Sequence, residues 1–176
     1  MNYKKFEDTE KKKIFYEKTE WTGICNECFC EDKECKCGNK ERIYVDKNIA
    51  RVLREFHLKN YQTVSCCEGH YVYKENKEKL EASRSPMYIT LDRYSGEDLS
   101  KEFLLDSWWQ NNNYELIKIE KTGCYDLRKY FKLQKKTSIE RLGLMKQAQI
   151  EELIEHIQKM QSRLYKQCEK RIKTNY

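Results

Sequence analysis

The chain has 176 residues, 39% of them hydrophobic, which suits one domain of ordinary size with a modest core. No apolar run approaches the roughly 20 residues of a membrane span, and Met1-Asn2-Tyr3-Lys4-Lys5-Phe6 leads into charge rather than a secretory apolar stretch, so a cytosolic protein is expected. The net charge of +6 is uneven: residues 1–120 carry 21 Lys/Arg against 23 Asp/Glu, and residues 121–176 carry 14 against 6, a net +8 that can attract nucleic acid or an acidic protein.

Residues 1–22 read as a charged N-terminal segment with scattered aromatics, frayed early, with Ile14, Phe15 and Lys18 suiting one face of a short helix. The zinc-binding domain is assigned to residues 23–136. Seven of the nine cysteines fall between Gly23 and Tyr71, a clustering that in a reducing cytosol points to metal rather than to disulfides. Cys25-x-x-Cys28 and Cys35-x-Cys37 are short-range thiolate pairs that can aim at one tetrahedral ion about 2.3 Å away, and Zn2+ is the favoured ion. Gly38 lets the backbone turn and point an amide at a sulfur. Cys30 is one thiol too many for a single site. Four thiolates close the coordination sphere, so the role predicted is structural.

From Glu41 the pattern is β-α-β. Ile43-Tyr44-Val45 is a strand, Asp46 an N-cap, and Ile49, Val52, Leu53 and Phe56 recur at helical spacing. Asn60 suits a left-handed helix stop, and Tyr61-Gln62-Thr63-Val64-Ser65 is a strand that delivers the chain to Cys66-Cys67-Glu68-Gly69-His70. Three readings of that turn stay open. Cys67 and His70 complete a zinc site with Cys25 and Cys28, leaving Cys35 and Cys37 to a second ion or none; or they form a nucleophilic Cys/His pair beside Glu68; or the turn is packing alone.

The run Asn60 to His70, behind its amphipathic helix, resembles the Gly-Tyr-x-Thr-x-x-x-Cys-x-Gly-His segment of small, largely uncharacterised proteins of phages and mobile elements in low-GC bacteria. The likeness covers about residues 46–70, with Asn60 where Gly is usual. It implies a setting, phage or mobile DNA in a bacterial cytosol, and no agreed activity.

Residues 72–85 read as an excursion loop and Met87 to Leu91 as a strand. A helix follows with Leu99, Phe103, Leu104 and Trp108 on one side; the spacing favours Trp108 in the core over a Trp108-Trp109 stacking platform. Tyr114 to Lys121 and Tyr125 to Leu133 form a hairpin, whose outward parity presents Arg128, Tyr130 and Lys132, followed by Lys135 and Lys136, as candidate contacts to nucleic acid or a partner. Residues 137–176 are assigned to a long amphipathic helix, Ser138 to about Lys173, with Ile150, Leu153, Ile157, Met160 and Leu164 stepping by three and four. Such a helix would outreach the core, so Leu153 and Ile157 are candidates for a coiled-coil seam with a twin or partner.

The fold class expected is α+β: a mostly antiparallel sheet with a β-α-β unit, a cysteine-rich zinc loop and a long C-terminal helix. The function expected is a zinc-stabilised binding protein of a phage or mobile element, acting in the bacterial host on nucleic acid or a nucleoprotein machine, for example as an anti-CRISPR inhibitor. The alternative is a zinc- or thiol-dependent nucleic-acid-modifying enzyme centred on Cys67 and His70.

Overall fold

A computed structural model of the chain describes residues 3–7, 13–17, 20–31, 34–69, 71–76, 79–84, 86–131 and 139–162. The chain opens with strands β1 (Tyr3–Glu7) and β2 (Lys13–Glu17), where a frayed early part and a short helix carrying Ile14 and Phe15 were expected. They join a hairpin, β6 (Tyr71–Asn76) and β7 (Lys79–Arg84), in an antiparallel sheet of order β1-β2-β6-β7, so the expected excursion loop is also strand. Pairings such as Phe6 with Ile14 and Phe15 with Tyr73 match strand-forming residues across the ladder. β1-β2 and β6-β7 are local hairpins, and the β2-β6 pairing, Phe15 with Tyr73, joins them into one sheet.

A two-stranded ribbon follows, β3 (Trp21–Cys25) with β4 (Arg42–Asp46), and the cysteine loop hangs between its strands. The β-α-β unit continues from β4 through α1 (Lys47–Leu58) to β5 (Thr63–Cys67). Asn60 takes the left-handed conformation expected of it, with φ 64°. Asp46 precedes α1 but does not cap it: its carboxylate accepts instead from the Glu68 amide at 2.9 Å.

The second four-stranded sheet has order β5-β8-β10-β9 and is antiparallel throughout, with β8 (Met87–Leu91), β9 (Tyr114–Lys118) and β10 (Tyr125–Lys129). The expected β9-β10 hairpin is present. Between β8 and β9 the helix breaks into α2 (Arg93–Leu105) and α3 (Ser107–Asn111), because Asp106 is extended and caps α3 through the Trp108 amide. That break shifts the register. Trp109, not Trp108, is the tryptophan with no exposure, while Trp108 stacks on His156 at 3.7 Å.

The last helix, α4 (Ile139–Lys159), lies on α1 rather than projecting. Leu153 and Ile157 are 0% exposed and share one core with Ile49, Val52, Leu53 and Phe56 of α1 and with Ile89, Leu91 and Leu127 of the sheet. The coiled-coil seam expected at Leu153 and Ile157 is therefore corrected: their partner surface is this chain's own. The helix also ends earlier than expected, at Lys159, where the Lys59 ammonium takes the carbonyls of Gln158 and Met160. Residues 163–176 lie outside the described residues. Among those described, no helix is long and apolar enough to cross a membrane.

Two polar devices fix α4. Lys146, 2% exposed, donates to the Gly69 carbonyl at 2.6 Å and lies 3.5 Å from the equally buried Glu68 carboxylate. Removing one partner of a buried pair typically costs about 3–5 kcal/mol, because the other charge stays behind without compensation. Lys146→Ala is accordingly expected to lower stability by about that much in urea titration, and Lys146→Ala with Glu68→Ala by less. A single variant no weaker than the double would show the pair to be uncoupled.

The second device is His156. Its ring packs flat on Trp108, and its Nε2 lies 3.2 Å from an Asp106 oxygen but off the line a hydrogen bond requires, so the contact is electrostatic. Burial lowers its pKa, the Asp106 charge opposes that and Lys159 adds to it; burial also lowers His57. Both groups bind protons more readily when unfolded, so stability is complete above the unfolded value near 6.5 and is lost as pH falls below it. The melting temperature should fall between about pH 6.5 and 5, and less steeply in His156→Gln. An unchanged slope in that variant would remove His156 from the account.

Candidate metal centre

The loop between β3 and β4 gathers four thiols. The sulfurs of Cys25, Cys28, Cys35 and Cys37 all lie within 4.8 Å of one another, with Cys25–Cys37 at 3.4 Å, Cys35–Cys37 at 3.5 Å and Cys28–Cys35 at 3.7 Å. Four sulfurs each about 2.3 Å from one tetrahedral ion would be about 3.8 Å apart, so the donor set fits a single zinc-sized ion. The spacing is too long for disulfides, whose S–S bond is about 2.05 Å, and all eight described cysteines are free.

Local backbone geometry explains the convergence. The Cys25 amide donates to the Cys30 carbonyl at 2.9 Å and the Phe29 amide to the Cys25 carbonyl at 3.0 Å, which closes the first turn. Phe29 and Gly38 each follow a thiol and both have positive φ, 55° and 80°. In both places the reversed backbone brings the next amide onto the preceding sulfur: Cys30 onto Cys28, Asn39 onto Cys37. The Cys28 and Glu27 amides favour the Cys25 thiolate, and the Cys37 amide that of Cys35. The Glu27 amide donates to the Cys25 sulfur at 3.4 Å, and backbone amides beside the other three favour their thiolates. Phe29 carries a strained φ that glycine would take freely, and its ring stacks on His57 of α1 at 4.7 Å, while Glu34 pairs with Arg54 at 2.7 Å. These contacts seat the loop on α1.

As thiols the four divide their protons unequally. The Cys28 and Glu27 amides bring Cys25 down to about 6. The Cys30 amide favours the Cys28 thiolate, yet burial and the Cys25 sulfur outweigh it and hold Cys28 up at about 11. Cys35 is raised, first by the Cys37 sulfur; at Cys37 the Asn39 amide is outweighed by the Cys25 sulfur and burial, and the thiol is raised. A cation at the centre would let all four ionise together, with protons released on binding.

The other sequence candidates fall elsewhere. Cys67 does not join the four thiols, which corrects the reading that paired it with Cys25 and Cys28; its sulfur accepts from the Gly69 amide at 3.4 Å. His70, Lys132, Lys135 and Lys136 lie outside the described residues. Cys30 points its thiol at the Cys28 carbonyl, 3.5 Å away. Arg128 lies on β10 with its side chain 33% exposed and bound to Asp126 at 2.7 Å, and Tyr130 is half-buried. Leu153 and Ile157 are core.

Lys146 and Lys129 were missed by sequence reasoning, and Asp46 and Glu68 have partners it did not foresee. The buried set Asp46, Glu68 and Lys146, each under 5% exposed, surrounds the Cys67-Gly69 turn. Lys129, on the inward parity of β10, is buried over the Tyr114 ring, and burial draws its pKa down to about 8. An apolar-parity position filled by lysine was the available signal. Comparison with protein-family models, curated proteins and solved structures returns no match.

Proposed function

We propose that the chain is a zinc-stabilised binding protein of a phage or mobile element, engaging nucleic acid or a nucleoprotein machine of a bacterial host, an inhibitor of a CRISPR-type effector being one such role. The four-thiol set carries the binding-protein reading. Four thiolate donors fill a tetrahedral ion's sphere, which leaves no position for water or substrate and makes the ion a fold-stabilising one. The basic C-terminal third supports a polyanionic target. The phage setting rests on the Asn60–His70 resemblance. Affinity capture from host cells, with and without nuclease, tests the reading: a nuclease-resistant host protein identifies a protein target, nuclease-sensitive capture identifies nucleic acid, and recovery of neither overturns it.

One observation favours a second reading, a thiol-dependent enzyme at Cys67: buried acidic and basic side chains gather around its turn, the residue types that general acid–base chemistry uses. Alanine at Cys67 and His70 separates the two. Loss of a nucleic-acid-modifying activity in folded, zinc-replete protein would favour the enzyme.

A further inference from the structure

The four-thiol set leaves one cysteine of its loop without a place. Cys30 stands outside the cluster whose sulfurs lie within 4.8 Å of one another, and it is not among the side chains that form the core, where a cysteine that binds nothing usually serves as a small hydrophobe. It bears instead on a ligand. The Cys30 thiol lies 3.5 Å from the Cys28 carbonyl, and its sulfur is close enough to that of Cys28 to act on it.

Backbone shape gives the reason. Only Phe29 separates the two residues, and its φ of 55° reverses the chain, so that the Cys25 amide reaches the Cys30 carbonyl at 2.9 Å and the Phe29 amide reaches the Cys25 carbonyl at 3.0 Å. A bridge between Ile24 and Glu31 extends this pairing by one residue. Cys30 is thereby pinned beside the end of β3, as a free thiol held next to a ligand. Cys28 and Cys30 are both half-buried, within reach of a small solute, whereas Cys25 is 0% exposed.

We infer that Cys30 and Cys28 form a peroxide-sensitive switch: a hydroperoxide joins them in a disulfide, which removes one donor from the metal site. The inference rests on the zinc-stabilised reading proposed above, whichever target the protein binds. Cys30 reacts first, because a cation engages the lone pairs of the four cluster sulfurs and not those of Cys30. Its sulfur takes one peroxide oxygen; the S–O bond forms, the O–O bond breaks, and the thiol proton leaves in water. The Cys28 thiolate then attacks the Cys30 sulfenic sulfur; the S–S bond forms, the S–O bond breaks, and hydroxide departs. The pair loses two electrons and the peroxide gains them. Ligand number also favours this pair. A disulfide within the cluster would break two bonds to the ion, and the Cys28–Cys30 disulfide breaks one. Three donors hold the ion more weakly than four, so oxidation should free the loop from the Phe29–His57 and Glu34–Arg54 contacts that seat it on α1.

The test treats the full zinc-loaded chain with hydrogen peroxide, follows released zinc with a chromogenic chelator, and maps disulfides by proteolysis and mass spectrometry. The first disulfide should join Cys28 to Cys30, and dithiothreitol with added zinc should restore the full equivalent. Dimedone present with the peroxide should tag Cys30 and hold the zinc in place, because the sulfenic acid is trapped before Cys28 attacks it. Cys30→Ser should bind one zinc as the wild type does and release it about tenfold more slowly under peroxide. A Cys30→Ser chain that loses zinc as fast as the wild type, or a first disulfide that excludes Cys30, would overturn the switch and leave the four-thiol set intact. A wild type that carries no zinc before peroxide is added would overturn both.

Discussion

Alanine at Cys25 or Cys35 is expected to reduce zinc from one equivalent per chain to none, whereas alanine at Cys30 or Cys67 leaves the full equivalent. The four sulfurs that share one 4.8 Å cluster are Cys25, Cys28, Cys35 and Cys37, and no described residue offers a substitute within it. Structural zinc sites contribute about 10–16 kcal/mol of apparent binding energy in small peptides, as much as the whole stability of an ordinary domain. Loss of the ion should therefore loosen the cysteine loop and release Phe29 from His57 and Glu34 from Arg54, while the core that Ile24 and Val45 share with α1 and α4 retains its packing. Elemental analysis gives the metal content, and circular dichroism with and without chelator gives the melting temperature. A Cys67→Ala chain that loses zinc while Cys35→Ala keeps it would refute this ligand set. Because thiols must shed protons to bind, chelation should become easier as pH falls.

Aspartate at both Leu153 and Ile157 is expected to unfold the domain. Both side chains are wholly buried in the apolar core, so each change places a carboxylate among apolar side chains. Leu153→Ala alone should cost about 2–5 kcal/mol, read from the midpoint of urea unfolding. A soluble, cooperatively folded double variant that had lost only self-association would restore the seam at these residues and refute their place in the core.

The apolar stripe of α4 is the same in either case, since three-and-four spacing states only that a helix has an apolar face. What faces it is set by α1, whose own stripe lies 100 residues away in sequence, and no local pattern couples the two. The β-α-β unit, β8 and the β9-β10 hairpin were legible because their signals are local. β1, β2, β6 and β7 were not, because strands of mixed Lys, Glu and Tyr resemble loops until their partners are known. Within the metal site the thiols were legible as a group. The exclusion of Cys67 was not, because spacing along the chain fixes which sulfurs can converge but not which strand end lies near them. Arg128 was placed on the correct parity of β10. Its partner Asp126, two residues earlier on the same face, has a carboxylate that reads as an ordinary surface charge until Thr90 is seen beneath it.

The clasp of Lys59 onto the end of α4 joins residues 99 and 101 positions apart, and Asn60 reaches Ser162 in the same place at 3.1 Å. On a ribosome adding about 5–20 residues per second, the apolar face of α1 is made some 5–20 seconds before the helix that covers it. During that interval Val52, Leu53 and Phe56 have only part of their final surroundings, and a chain stalled or cut before α4 keeps them so. Synthesis of this protein thus includes a period in which a sticky intermediate must be shielded, and the last helix made is the one that ends it.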